Sequence, residues 1–322
     1  MTSTELSMSE PTAKKAKSGG DDDVYLDEDL LKHYNENGYV VMRNFFTPAE
    51  VEAVKAEIRR LIDEWYENYE KTGEEKPDWE EVVNRDPLVR EGKLQPTSRL
   101  SSVRRLFRMA VHVEFFKKLA IQSKMAGIAR QLLGDDIKLL QSMALLKPPG
   151  TGEKRWHQDN AYFRLIPNKV MAFWIAIDKT NVENGCMHVV PGTHTHGVDE
   201  HKSPSDQHIQ YSLVNLPEKE KVLPVPMNPG DALVFHGELH HYTPPNKTKD
   251  MRQAIQYHYA SALCKPTVCP KDDEAKENEG EAKANNDEPG YFDCAPCVEP
   301  QFWYYRKAEL LVAGHDYGGD HI

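Results

Sequence analysis

The sequence lacks any long hydrophobic run. No stretch approaches the roughly 20 apolar residues that a helix needs to span a bilayer. Its amino terminus also lacks the apolar segment that is typical of a signal peptide. These two absences predict a protein without a membrane span that is not secreted.

Cysteine is scarce as well, with five residues in a chain of 322. An odd number in a chain of this length does not indicate a disulfide scaffold and favours a reducing compartment. Four of the cysteines could still bind a structural zinc through their thiolates: Cys264, Cys269, Cys294 and Cys297. The first spacing is unusual for zinc and the neighbouring prolines suit plain turns, so unpaired cysteines are the preferred interpretation.

Basic residues are also fewer than acidic ones, with 40 Lys and Arg against 51 Asp and Glu. The formal net charge of -11 argues against a nucleic-acid-binding surface. Residues 271–288 contain eight acids against three lysines, which places much of the excess negative charge in an acidic insertion at about 265–293.

Residues 1–23 are rich in Ser, Thr, Lys and Gly and are predicted to be disordered. We expect residues 24–322 to form a single domain that carries the insertion.

What is present suits a globular protein: 39% of residues are hydrophobic, with 14 Tyr, 10 Phe and 5 Trp. Thr47-Pro48-Ala49-Glu50 is typical of a helix start with a capping box, and apolar residues follow at helical spacing to about Tyr69. Other predicted helices are 27–35, 113–119, 124–133 and one that runs through Leu311. Residues 71–93 are charged and predicted to be a surface loop.

From Ile137 onward, short apolar stretches alternate with turns such as Asn184-Gly185 and Pro229-Gly230. The predicted strands are 39–42, 137–146, 169–177, 187–190, 208–213, 222–226, 232–235 and 252–260. Many short strands in a chain that begins with helices predict an all-β core with flanking helices (α+β). The expected architecture is a double-stranded β-helix, which is a cupin-like jelly roll.

His157 and Asp159 form a candidate metal-binding pair. In an extended segment, residues two apart point to the same side, which would bring an imidazole nitrogen and a carboxylate oxygen to one ion. A third ligand is available from His236, His240 or His241, and strand alternation does not choose among them. Two histidines and one carboxylate are the ligands of non-haem Fe(II) oxygenases, which keep open positions on the metal.

Arg252 is the candidate anion anchor, because a buried guanidinium near a metal needs an anion and its planar fork suits a carboxylate. Thr243 could add a hydroxyl to the same anion. Gln141, Met143 and Lys147 alternate onto one face of the strand that precedes His157, so they are candidate pocket residues. Tyr162 could supply an apolar wall and is, with Gln141 and Lys147, a candidate substrate contact.

At this point the sequence resembles the phytanoyl-CoA dioxygenase family of Fe(II)/2-oxoglutarate oxygenases over about residues 39–259. The motifs that carry the resemblance are His157-Gln158-Asp159, Asn184-Gly185-Cys186-Met187, Val190-Pro191-Gly192-Thr193-His194, Gly230-Asp231, Phe235-His236-Gly237, His241 and Arg252. The resemblance implies that His157, Asp159 and His241 bind iron. It also implies that Arg252, helped by Thr243, binds the distal carboxylate of 2-oxoglutarate.

The same resemblance assigns Trp174 and Gln158 to the cosubstrate pocket and His236 to a structural Phe-His-Gly element. Met143, a candidate from strand alternation, is also expected to contact the cosubstrate. It likens Gln141 to a substrate-contacting glutamine of ectoine hydroxylases. The implied reaction uses O2 to convert 2-oxoglutarate to succinate and CO2 while a substrate C–H bond is oxidised, with ascorbate as a supporting reductant. Retention of Asp159 favours hydroxylation over halogenation, and desaturation or cyclisation stays open.

Two other functions compete with this interpretation: a jelly-roll protein that binds metal without turnover, and a zinc-dependent hydrolase. The expected partner is a small-molecule or lipid-like substrate, without nucleic acid. The sequence does not predict the oligomeric state. The chain lacks a carboxy-terminal peroxisomal tripeptide, which favours a cytoplasmic location, with a weak nuclear signal near Lys14 as the alternative.

Overall fold

A large antiparallel sheet, covered by helices on one side and a smaller sheet on the other, organises the chain. The structure is a computed structural model that describes residues 24–76, 82–202, 212–266 and 310–313. The predicted disordered tail and nearly all of the acidic insertion lie outside these residues.

The described helices, in chain order, are α1 (Glu28–Asn37), α2 (Pro48–Thr72), α3 (Pro87–Arg90), α4 (Met109–His112), α5 (Glu114–Ile121), α6 (Ser123–Leu133) and α7 (Asn160–Phe163). Short 3-10 turns occupy Leu100–Ser102, Thr193–His196 and Lys219–Lys221. The strands are β1 (Tyr39–Met42), β2 (Val83–Arg85), β3 (Val103–Phe107), β4 (Ile137–Lys147), β5 (Lys154–His157), β6 (Leu165–Ile166), β7 (Val170–Ala176), β8 (Met187–Val190), β9 (His201–Lys202), β10 (Ser212–Leu213), β11 (Leu223–Val225), β12 (Ala232–His236), β13 (His240–Thr243), β14 (Arg252–Ser261), β15 (Lys265–Pro266) and β16 (Leu310–Ala313).

The large sheet has the strand order β1-β12-β7-β14-β4-β3-β2, and β16 also pairs with β4. The smaller sheet has the order β11-β8-β13-β5, and two short pairs join β9 to β10 and β6 to β15. Neighbours in the sequence are often distant in the sheets, so most pairings are long-range. Two antiparallel sheets with this connectivity form a jelly-roll core, as the sequence predicts.

Strand β7 shows why the large sheet lies at the centre. Every residue from Val170 to Ala176 is buried. Phe173 and Ile175 pack into the core shared with the helices, whereas Trp174 and Ala176 pack between the two sheets. Because strand side chains alternate between faces, an apolar run without polar breaks predicts a strand that is covered on both sides.

Helix α2 covers the outer face of this sheet. Thr47 and Glu50 form the predicted capping box, which satisfies backbone N–H groups at the helix start. Val51, Val54 and Ile58 are buried in the core on that side. Burying a side chain of this size stabilises the fold by about 1.5–3 kcal/mol, so this apolar stripe holds the helix against the sheet.

The structure differs from the predicted secondary structure in several places within the described residues. The predicted loop at 71–93 contains the end of α2, strand β2 and helix α3. Strand β3 was not predicted, since Arg104 and Arg105 interrupt its apolar pattern. Leu310 and Leu311 lie in β16, which pairs with β4, and therefore do not belong to a helix. The remaining predicted strand residues 208–211 lie outside the described part of the chain.

Candidate active site

Strands β5 and β13 bring two histidines together. They pair with His157 directly opposite His241, and the two ring centroids are 4.2 Å apart. The Oδ1 atom of Asp159 lies 3.5 Å from Nε2 of each histidine. Ligands about 2.1 Å from one ion and at right angles to each other are about 3 Å apart. All three side chains are buried, and their ligand atoms lie within 4.8 Å of one another.

Asp159 reaches the histidines by a different backbone route from the predicted one. The prediction placed His157 and Asp159 on one extended segment, but β5 ends at His157 and Asp159 is helical, with φ -63° and ψ -38°. The turn into α7 carries the carboxylate back beside His157. The Asn160 N–H donates to the Gly237 carbonyl at 2.8 Å, which fixes this turn to the segment before β13.

Backbone carbonyls orient both imidazoles. Nδ1 of His157 donates to the Arg155 carbonyl at 2.7 Å, and Nδ1 of His241 donates to the Leu239 carbonyl at 2.9 Å. This arrangement leaves each Nε2 with its lone pair directed at the common site. Burial, with repulsion from His241 and Lys154, lowers the pKa of His157 to about 3. His157 is therefore neutral at pH 7, the form that binds metals.

A third histidine, His258, holds Asp159 from the other side. Its Nε2 lies 2.9 Å from Oδ2 of Asp159, and it donates this hydrogen bond because a carboxylate only accepts. Burial alone would raise the pKa of Asp159. The nearby His258 and His241 outweigh burial and hold that pKa well below its usual value. Asp159 is therefore a carboxylate at neutral pH.

The sequence analysis missed His258, although a signal was available. Positions 252, 254, 256 and 258 of β14 share one face of the strand because side chains alternate. Arg252 was already a candidate, so Gln256 and His258 on the same face were candidates too. Both residues line the cavity that contains the triad.

Arg252 is a buried cation without an acidic partner among the described residues. It is 2% exposed, and its Nε and Nη1 atoms have no hydrogen-bond partner. The guanidinium carbon lies 5.3 Å from the ring centroid of Trp174, whose buried Nε1 also lacks a partner. Burial lowers the pKa of Arg252 to about 10, so it stays charged at neutral pH. A buried charge of this kind is costly unless an anion joins it, so the cavity is built to receive one.

The other candidate histidines point elsewhere. Nδ1 of His236 accepts a hydrogen bond from the Glu238 N–H at 3.1 Å, within a turn. Nε2 of His240 lies 2.8 Å from Oδ2 of Asp199, on the opposite side of β13 from the triad. Adjacent residues of a strand face opposite ways, so the pairing of β13 with β5 selects His241 for the triad.

Gln158 does not line the pocket to which the resemblance assigned it. Its side-chain Nε2 donates to the carbonyls of Gly197 and Glu238, both at 2.7 Å, and its Oε1 accepts the Asp199 N–H at 2.7 Å. Gln158 lies between His157 and Asp159 and so points away from both. Its role in the structure is to join three loops behind the site.

Lys147 borders the cavity, but its ammonium group is directed at the backbone. Nζ donates to the carbonyls of Gly152, Thr243 and Pro244, which fastens the start of β5 to the end of β13. Burial, with repulsion from Arg252 and Arg104, lowers its pKa to about 6. These contacts hold Lys147 in place at the cavity border, and its contact with a substrate stays a prediction.

The remaining predicted residues do line the same cavity, which has a volume of about 280 Å³. They are Gln141, Met143, Tyr162, Trp174 and Thr243. Nε2 of Gln141 is buried without a hydrogen-bond partner. The structure thus brings together the triad, Arg252 and five of the predicted pocket residues in one enclosed space, as expected for a small-molecule site.

The cysteine hypothesis can be examined at one residue. The thiol of Cys264 is buried and donates to the Pro167 carbonyl at 3.0 Å. The other three residues of the proposed zinc site, Cys269, Cys294 and Cys297, lie outside the described residues.

No described helix has both the length and the apolar character that crossing a membrane requires.

A jelly roll that holds a His-Asp-His triad and a buried arginine in one cavity defines a non-haem Fe(II)/2-oxoglutarate-dependent oxygenase. The family model "Phytanoyl-CoA dioxygenase (PhyH)" matches residues 34–254. The chain therefore belongs to the phytanoyl-CoA dioxygenase family, and it is a 2-oxoglutarate-dependent dioxygenase.

Comparison with known proteins gives the same family and fold. The peroxisomal phytanoyl-CoA dioxygenase of Mus musculus is 28% identical over 260 residues, which cover 74% of this chain and 71% of the relative. The non-heme monooxygenase ThoJ superposes with a TM-score of 0.60 at 20% identity, covering 90% of this chain and 86% of ThoJ. EctD from S. alaskensis, solved with 2-oxoglutarate and 5-hydroxyectoine, gives a TM-score of 0.56 at 18% identity, covering 79% and 83%.

Proposed function

We propose that this oxygenase hydroxylates an unactivated C–H bond of a small organic substrate, with His157, Asp159 and His241 as its iron ligands. The observation that carries the proposal is the shared cavity. Three buried ligand atoms lie within 4.8 Å of one another, and an unpartnered guanidinium lines the same space.

The donor set fits ferrous iron. Two neutral imidazoles and one carboxylate supply three ligands on one side of an ion, which leaves positions for a cosubstrate and O2. The Arg155 and Leu239 carbonyls hold the imidazoles, and His258 holds the carboxylate. Such outer contacts keep ligands in place before the metal arrives.

Arg252 fits the distal carboxylate of 2-oxoglutarate. Its Nε and Nη1 atoms have no hydrogen-bond partner, its planar fork suits a carboxylate, and its charge has no acidic partner among the described residues. Thr243 and Trp174 line the same wall, and each offers a further hydrogen-bond donor. Met143 lines the pocket beside them.

When bound, Fe(II) and 2-oxoglutarate supply the oxidation: one atom of O2 enters succinate, which forms with CO2, and the other enters the product as a hydroxyl group. The protein positions the substrate C–H bond in the cavity beside the triad. Gln141 and Tyr162 are proposed as substrate contacts. A cytoplasmic location and the absence of a nucleic-acid partner stay predictions.

The test is succinate release from 2-oxoglutarate by the purified chain with Fe(II), ascorbate and O2 against a panel of metabolites. Mass analysis of the product should find a gain of one oxygen. A loss of two hydrogens would identify desaturation or cyclisation. Equal turnover without O2 would contradict an oxygenase, and metal binding without any succinate would favour the binding-protein alternative.

A further inference from the structure

Glu238 is a buried residue in the turn between β12 and β13, three residues before His241. Its Oε1 atom accepts a hydrogen bond from Nδ2 of Asn160 at 3.1 Å, and its Oε2 atom accepts one from Nδ2 of Asn168 at 2.8 Å. Asn168 stands two residues before β7 of the large sheet. A carboxylate that is buried between neutral amides is costly, and its two oxygens, which only accept, are what this pair of donors requires.

The orientation of the Asn160 amide is fixed by three hydrogen bonds. Its Oδ1 atom accepts the Leu165 N–H at 3.1 Å, and its Nδ2 atom donates to the Leu165 carbonyl at 3.3 Å as well as to Glu238. Turning this amide over would set its oxygen against the Leu165 carbonyl and its nitrogen against the Leu165 N–H. Asn160 therefore presents a donor to Glu238, and the side chain at that position has to offer an acceptor.

Glu238 joins the segment that carries Asp159 to the segment that carries His241. The two residues that flank Asp159 both bond to it. Nε2 of Gln158 donates to the Glu238 backbone carbonyl at 2.7 Å, while Asn160 donates to the Glu238 carboxylate. One residue of the β12–β13 turn thus holds the backbone on both sides of a candidate metal ligand.

We propose that Glu238 is a positioning residue for the metal ligands, an inference that rests on the proposed function of the triad. Glu238 and both asparagines line a separate cavity, so Glu238 acts through its neighbours and not by touching the metal. Oδ1 of Asp159 lies 3.5 Å from Nε2 of His241. A binding site of this kind has to be held within about 0.5 Å of its working geometry, so a shift of one segment against the other weakens metal binding.

An exchange of hydrogen-bonding groups between Glu238 and Asn168 tests this role. Glu238→Gln places an amide nitrogen against one of the two asparagine donors, so one hydrogen bond is lost. Asn168→Asp alone places two carboxylates opposite each other, which repel. When Glu238→Gln and Asn168→Asp are combined, the new amide donates to the new carboxylate and still accepts from Asn160.

The metal affinity can be measured with Co(II), which binds imidazole and carboxylate ligands and absorbs visible light. We expect the Co(II) dissociation constant to rise about tenfold in each single variant, as for loss of one charge-assisted contact near a metal ligand. The double variant should regain most of the wild-type affinity, because the two positions are directly coupled. Glu220→Gln, at an exposed position, is the matched control and should bind Co(II) as the wild type does. Thermal unfolding checks that each variant is folded.

Unchanged Co(II) affinity in the folded single variants, or no recovery in the double variant, would overturn the proposal. Asn168 is exposed, so Asn168→Asp carries the test if Glu238→Gln does not fold. At saturating Fe(II), the 2-oxoglutarate concentration for half-maximal succinate formation should stay unchanged in the single variants, because Arg252 lies on β14. A rise in that concentration as large as the loss of metal affinity would indicate general loosening of the fold and would refute a specific role.

The failure of the proposed function would look different. Asp159→Ala should lose Co(II) binding, whereas Glu220→Gln should keep it. If Asp159→Ala binds Co(II) as tightly as the wild type, the triad is not the metal site and both proposals fail. If Asp159→Ala loses the metal while the folded variants of Glu238 and Asn168 bind it normally, only the positioning role is refuted.

Discussion

Three imidazole rings converge on the carboxylate of Asp159. His157 and His241 face its Oδ1 atom, and His258 hydrogen-bonds to Oδ2. The carboxylate thus faces the polar edges of all three rings. Oδ1 would supply the ligand to a metal ion, and the His258 hydrogen bond to Oδ2 would hold the carboxylate in place. Asp159 therefore connects His258 to the two candidate ligand histidines.

Replacing Asp159 by Ala should remove Fe(II) binding and reduce hydroxylation more than about 100-fold, since even outer contacts to metal ligands are worth 10- to 100-fold. Equilibrium dialysis with Fe(II) and product quantification by mass spectrometry measure the two effects. Asp250→Ala is the control, because Asp250 is exposed in the loop between β13 and β14. Normal turnover in Asp159→Ala would remove this residue from the ligand set.

Replacing Arg252 by Lys keeps the charge but removes the planar fork. We expect the 2-oxoglutarate concentration for half-maximal succinate formation to rise about 10- to 100-fold, as for loss of a charge-assisted contact, with little change in Fe(II) affinity. Titration of each component separately provides the measurement. Arg59→Lys on the exposed side of α2 should behave as wild type. An unchanged 2-oxoglutarate requirement in Arg252→Lys would contradict the assigned role.

At the scale of elements, the turn between β12 and β13 decides where His241 points. Nδ1 of His236 accepts the Glu238 N–H, and the Gly237 carbonyl accepts the Asn160 N–H. A Cβ on Gly237 would lie 2.9 Å from a side-chain atom of Val170, so the close approach of this turn to β7 requires glycine. The turn therefore connects the start of α7, next to Asp159, and strand β13 to the large sheet.

His236 should make the stability of this turn depend on pH. Burial, with repulsion from His194, lowers the pKa of His236 to about 4, below its ordinary value of 6.5. Between these values the unfolded chain binds more protons than the folded one, so stability is complete above pH 6.5 and falls as pH decreases toward 4. Protonation also removes the lone pair that accepts the Glu238 N–H.

The free energy of unfolding of the metal-free protein should therefore fall by about 1–2 kcal/mol between pH 7 and pH 5 on account of His236. Urea titrations at several pH values measure this slope. His236→Asn, whose amide oxygen can accept a hydrogen bond, should show a smaller slope. His196→Asn, at an exposed position, should retain it. Equal slopes in all three proteins would exclude a contribution from His236.

The elements that the sequence predicted correctly share strong local signals. The capping box of α2 and the uninterrupted apolar run of β7 each depend on neighbouring residues alone. Strands β3 and β13 lack such signals, because paired arginines and paired histidines occupy them. Their strand conformation results from pairing with β4 and β5, which are distant in the sequence. Local propensity does not report such contacts.

The residues of the candidate site differ in the same way: some carry a signal in the sequence, and the positions of others depend on contacts made by folding. His157, Asp159 and Arg252 were candidates because a metal and an anion require particular residue types, and the family resemblance added His241. The resemblance assigned Gln158 to the cosubstrate pocket, whereas its side chain points away from His157 and Asp159 and hydrogen-bonds to loops behind the site. The partners of Lys147 are backbone carbonyls brought near by folding, and Gly185 permits that approach: with φ +86°, its Cβ would lie 2.6 Å from the Pro244 carbonyl oxygen.

At the scale of the whole molecule, the site joins the two sheets. His157 and His241 belong to the smaller sheet, whereas Arg252 and His258 belong to β14 of the large sheet. Between the sheets, beside the cavity, lies an apolar core that includes Trp174, Met187 and Leu233, and the first two of these also line the cavity. Iron and 2-oxoglutarate bound in this cavity would connect groups on both sheets, so ligand binding and global stability are linked.

Anaerobic addition of Fe(II) and 2-oxoglutarate should therefore raise the melting temperature of the whole protein. A ligand at 100 times its dissociation constant adds about 2.7 kcal/mol, which corresponds to a shift of several degrees for a chain of this size. The two variants should differ in their melting-temperature shifts. Asp159→Ala should lose the shift due to Fe(II). Arg252→Lys should keep that shift and lose most of the further shift due to 2-oxoglutarate. Succinate replaces 2-oxoglutarate as a control, since it lacks the keto group that chelates metal. A shift with 2-oxoglutarate that is the same size in Arg252→Lys as in wild type would place the cosubstrate away from the guanidinium that links the large sheet to the cavity.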